Sequence, residues 1–76
     1  MALPTIDMQR TGENIKKLRE NKGLSVKELA ECMGFSGTNA IYKWQYGTAL
    51  PTLDNLVILG SVLGVGISEI IVVRKE

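Results

Sequence analysis

Between Ser25 and Trp44 the chain reads as two short helices joined by a tight turn, and no other stretch restricts the fold as much. Ser25-Val26-Lys27-Glu28 is a helix start. The serine hydroxyl can accept from the Glu28 amide, and the Glu28 carboxylate can reach back to the amide of Ser25. Leu29, Ala30 and Met33 form one apolar stripe, and Gly34 ends the helix. Ser36 is placed to cap the next helix, from about Thr38 to Tyr46, whose inner face is Ile41 and Trp44 and whose outer face is Thr38, Asn39, Tyr42 and Lys43. Ala30 is small where the two helices are expected to meet, so their axes can approach; a larger residue would push the second one away. Phe35, apolar within Gly34-Phe35-Ser36-Gly37, is expected to plug the core. Two helices crossing through a glycine turn, the second polar outside and apolar inside, can seat that polar face in a DNA major groove.

The remaining elements supply the frame. Thr5 or Asp7 can cap a first helix in which Met8, Thr11, Ile15 and Leu18 recur at three- and four-residue steps. Gly12 inside that stripe costs about 1 kcal/mol against alanine and points to close contact with another helix or to a later helix start. Gly23 ends the element. After Gly47, Leu50 is expected to anchor the loop Thr48-Ala49-Leu50-Pro51, and Thr52 to cap a fourth helix with Leu53, Leu56, Leu59 or Gly60, and Leu63 inward. Gly60 is expected to permit contact with the first helix. Ser68-Glu69-Ile70-Ile71 reads as a last helical turn capped by Ser68, followed by an apolar tail, residues 72–76, that turns charged at Arg74-Lys75-Glu76. Five short helices make a compact all-α domain, and the 76 residues form one unit, 1–76, with its helix pair at about 25–46.

Composition narrows the functions. There is no histidine, one cysteine (Cys32, expected half-buried), and the carboxylates are scattered. No metal site, disulfide, cofactor or small-molecule ligand is therefore expected. No activated nucleophile or phosphate-binding glycine loop is present, which speaks against an enzyme. The start of the chain lacks the basic and apolar runs of a signal peptide, and Leu56 to Ile67 is too short to span a bilayer. The expected location is cytoplasmic, with no membrane partner. The formal net charge is only +1. Lys16, Lys17, Arg19, Lys22 and Lys27 nevertheless fall close together, so the balance predicts modest non-specific affinity for nucleic acid and reliance on a dimer or on direct base contacts.

Asn14-Ile15-Lys16-Lys17-Leu18-Arg19, Gly23-Leu24-Ser25, Glu28-Leu29-Ala30, Gly34, Ile41, Trp44, Gly47, Leu50-Pro51, Asn55-Leu56 and Leu63-Gly64-Val65 stand in a specific order and spacing. Together they resemble the phage-repressor-like helix-turn-helix family, of the Cro and xenobiotic-response-element regulator type, over about Thr11 to Ile71. The resemblance implies a repressor-type, sequence-specific DNA-binding transcriptional regulator of a bacterium, phage or mobile element. Three departures stand out. Ala40 holds the place of the family's recognition-helix aliphatic residue, with Ile41 and Trp44 each one later, as in a bacterial subgroup with a one-residue extension before that helix. Val26 replaces a phosphate-binding glutamine. Gln45 stands where the family has a glutamate paired to an arginine, here Arg19, which predicts a hydrogen bond from Arg19 to Gln45.

Thr38, Asn39, Tyr42 and Lys43 are the expected base or phosphate contacts, since asparagine pairs with adenine and lysine with guanine or phosphate. Ser36 and Lys27 are the weaker phosphate contacts. Ala30, Gly34, Ile41 and Trp44 are the structural core of the motif. Homodimers would read half-sites about 34 Å apart on double-stranded DNA. Ile67, Ile70, Ile71, Val72 and Val73 are the expected dimer contact, unless the tail folds back over Ile6 and Met8. The competing reading is a protein-interaction module, antitoxin-like or regulating another repressor, supported by the near-neutral charge and Val26.

Overall fold

The structure is a computed structural model that describes residues 3–74. Its elements run β1 (Thr5–Ile6), α1 (Met8–Asn21), α2 (Val26–Cys32), α3 (Asn39–Gln45), α4 (Leu53–Leu63), α5 (Ile67–Ile70) and β2 (Val73–Arg74). Five helices carry the fold, as expected; the departure from all-α is one antiparallel pair in which Thr5 faces Arg74 and Ile6 faces Val73.

Local chemistry sets the helix ends. Asp7, the second of the two expected caps, accepts from the Arg10 amide at 2.9 Å. Ser25 and Glu28 form the reciprocal cap: the Glu28 amide donates to Ser25 Oγ at 3.0 Å and the Ser25 amide to Glu28 Oε1 at 2.9 Å. Those bonds favour the ionised carboxylate and hold Glu28 below the usual carboxylate range. Thr52 caps α4 through the Asn55 amide. α5 starts earlier than expected. Gly66, not Ser68, is its cap, and the Gly66 amide donates to Glu69 Oε2 at 2.8 Å.

The core is Ile15, Leu29, Ala30, Met33, Ile41, Trp44, Leu56, Leu59, Leu63 and Ile70. Phe35 is half-buried and meets the Trp44 ring edge-on, centroids 5.8 Å apart. Four expectations need correction. Leu53, read as inward, is 79% exposed, because the inward stripe of α4 begins at Leu56. Pro51 rather than Leu50 is the buried residue of the loop before α4. Cys32 is exposed at the end of α2. Gly60 makes room for the chain that follows its own helix, not for α1: a Cβ there would stand 2.7 Å from the Val65 carbonyl oxygen, whose residue donates its amide to Gly60 O.

Gly12 does serve close helix contact. A Cβ on it would run into the Trp44 carbonyl, so α1 and α3 touch backbone to backbone. Gly47, with φ +75°, lies against Gln9 and repeats this contact just past the same end of α3. α3 is thus seated on α1 at two points that tolerate no side chain.

The tail folds back. Val72 N–H donates to Thr11 Oγ1 at 2.9 Å, Asp7 N–H to Val72 O at 2.8 Å, and Asn14 Nδ2 to the carbonyls of Glu69 and Ile70 at 2.7 and 2.8 Å. Of the expected dimer residues, Ile70 is therefore removed: it is fully buried under α1. Ile71 and Val72 are half-buried, while Ile67 and Val73 stay exposed. The end of the tail, residues 75–76, lies outside the described residues.

Candidate nucleic-acid interface

The site is built on α2, the turn and α3. Gly34, at φ +76°, reverses the chain after α2, and residues 33–38 lead into α3. The longer connection lies entirely before the helix, because Ile41 and Trp44 are both buried, at 0% and 4% exposure. Ser36 does not cap α3. Thr38 occupies the cap position with a helical backbone and no side-chain cap bond. Ser36 stays exposed and its hydroxyl has no hydrogen bond among the described residues.

With Ile41 and Trp44 inward, the outward residues follow from helix geometry. Asn39, Tyr42, Lys43 and Tyr46 fall at steps of three and four and are all exposed. Thr38 is half-buried at the start of this stripe and Lys27 is exposed on α2. Ala30 is buried, 3% exposed. The expected contacts on α3 therefore share one face, and among the described residues the tail does not cover it. Tyr46 belongs to the same face. Reading Tyr46 as the helix end hid it, although its spacing from Asn39 and Tyr42 was the available signal.

The frame behind that face is polar and satisfied. Arg19, only 8% exposed, donates Nε to Gln45 Oε1 at 2.9 Å and Nη1 to the Leu24 carbonyl at 2.7 Å. The predicted Arg19–Gln45 bond is present. Lys43 O closes the end of α3 by accepting from the Thr48 amide and hydroxyl. Among the described residues the two ion pairs use Arg10 and Arg19, so the ammonium groups of Lys16, Lys17, Lys27 and Lys43 are unpaired.

A helix pair with this turn, a buried inner face and an exposed polar stripe defines a DNA-binding regulator of the helix-turn-helix class. The chain belongs to the Cro/C1-type helix-turn-helix family, whose model matches residues 15–70. Among solved structures it is similar to the restriction-modification controller protein C.AhdI from Aeromonas hydrophila. That likeness has a TM-score of 0.77 and 26% identity, over 84% of this chain and 96% of the other. No curated protein sequence matches it. Fold and family together make the protein a DNA-binding transcriptional regulator. Among the described residues no helix is long and apolar enough to cross a membrane.

Proposed function

We propose that the protein regulates transcription by binding a two-fold-symmetric duplex site as a homodimer. Each protomer lays α3 in the major groove. Asn39 and Lys43 read base edges, Thr38 and Tyr42 flank them, and Ser36 and Lys27 hold phosphates on either side of the turn. The observation that carries this reading is the exposed stripe of Asn39, Tyr42 and Lys43 opposite buried Ile41 and Trp44. The likeness to a restriction-modification controller protein supports the regulatory role.

The dimer surface moves from the tail to α4 and α5. Leu53 and Val57, one turn apart on α4, are 79% and 60% exposed, and Ile58 and Ile67 are 38% and 37% exposed. Exposed aliphatic residues on so small a domain favour a partner surface of the same kind. Selection of bound duplexes from random DNA, with the mass of the free protein measured in solution, tests both halves. A palindromic consensus and a dimer mass are expected. No enriched sequence would contradict the reading, and binding to a protein that barely changes with salt would favour the interaction module, since DNA contacts weaken steeply as salt rises.

A further inference from the structure

Both tyrosines of the chain lie on the outward face of α3, one turn apart. Their rings stack with centroids 5.9 Å apart and planes 24° from parallel. Tyr46 is 70% exposed and Tyr42 40%. Neither hydroxyl has a hydrogen bond among the described residues. Stacking steadies the pair, yet most of Tyr46 remains in water, where a large aromatic surface gains from being covered. The pair borders a surface cleft of about 400 Å³ between α1 and α3, with Lys16 and Glu13 on its wall.

The charge of the chain gives this pair its meaning. A protein that holds DNA through lysine and arginine releases condensed counterions, and its affinity falls steeply with salt. This chain has a net charge of only +1, and Glu13 partly offsets Lys16 at the cleft. A phenol hydroxyl, unlike a lysine or arginine, donates a hydrogen bond to a phosphate without bringing a positive charge that displaces a counterion. We propose that Tyr42 and Tyr46 form a neutral grip on the sugar–phosphate strand at the edge of the groove that α3 enters: Tyr46 donates its hydroxyl to a phosphate oxygen, and the Tyr42 ring braces it and packs on the neighbouring sugar. This rests on the DNA-binding reading and adds to it a phosphate contact without charge. The grip strengthens binding to every sequence alike and leaves base preference to Asn39 and Lys43.

The test is equilibrium binding of the full chain to its selected duplex and to an unrelated duplex across a salt series, for the wild type, Tyr46→Phe, Tyr42→Ala and Lys27→Ala. Tyr46→Phe keeps the ring and the stack, so circular dichroism and unfolding should be unchanged. It should weaken binding to both duplexes by about tenfold, the worth of a hydrogen bond to a charged group. Its slope of log affinity against log salt should match the wild type, whereas Lys27→Ala should lower that slope by about 1 per protomer. Tyr42→Ala, which removes the ring that braces Tyr46, should also weaken binding to both duplexes while leaving the salt slope unchanged. Wild-type affinity for both duplexes in Tyr46→Phe, a loss confined to the selected duplex, or a reduced salt slope would each overturn the proposal while leaving the DNA reading intact. A wild-type protein that binds neither duplex would remove the reading on which the proposal stands, and the proposal with it.

Discussion

The Arg19 guanidinium donates to the Gln45 side-chain carbonyl at 2.9 Å across the junction of α1 and α3. The same guanidinium holds the Leu24 carbonyl just before α2, so one buried cation positions all three helices of the site. Gln45→Ala would leave Arg19 Nε without its partner in a part-buried place. Such a loss costs about 1–3 kcal/mol. Chemical denaturation should show that drop, and Gln45→Glu should retain or exceed wild-type stability at neutral pH by making the bond charge-assisted.

Gly12→Ala tests the seating of α3 on α1. Helix propensity alone would predict a gain of about 1 kcal/mol. The new methyl would instead meet the Trp44 carbonyl, a backbone atom that cannot swing aside. The expected result is a destabilisation of about 3 kcal/mol, at the upper end for overpacking. A urea midpoint at or above the wild type would contradict the close approach.

Thr11→Val tests the folded-back tail. The hydroxyl of fully buried Thr11 accepts the Val72 amide, and valine cannot. Hydrogen exchange should show Val72 losing protection while Ile41 and Trp44 keep theirs, with a stability loss of about 1–2 kcal/mol.

Glu28 gives a pH signature. Its carboxylate is held below its ordinary value, first by the Ser25 backbone bond and then by the Ser25 hydroxyl. A carboxylate lowered in the folded state stabilises the fold above the unfolded pKa, and that contribution disappears as the pH falls through the folded value. Wild-type stability should therefore decline more steeply below pH 4.5 than that of Glu28→Gln, which has no proton to gain. Parallel acid limbs for the two proteins would contradict it.

Much of the architecture was legible because local chemistry and packing agreed. The Ser25–Glu28 cap and the inward spacing of Ile41 and Trp44 are set by neighbours along the chain, whereas the Arg19–Gln45 pair joins residues 26 positions apart and followed from the family resemblance. The tail was not legible. Thr11 and Asn14 bind backbone groups more than fifty positions away, and a polar residue inside a helix carries no local mark of such a distant partner. Leu53 misled for a related reason: its spacing from Leu56 fits the inward stripe, but as the first residue of α4 it stays 79% exposed. At the site, the stripe Asn39-Tyr42-Lys43 could be read from periodicity, whereas the longer turn freed Ser36 from the capping role that its position had suggested.

The most direct measurement is the base preference of Asn39→Ala and Lys43→Ala, each selected from the same random duplex pool as the wild type. Both side chains are exposed on α3 and neither supports the core, so the variants should fold normally. Each should lose discrimination at its own position in the half-site, by about 1–3 kcal/mol per base pair read. Two variants that return the wild-type consensus with wild-type affinity would show that the outward face of α3 does not read DNA.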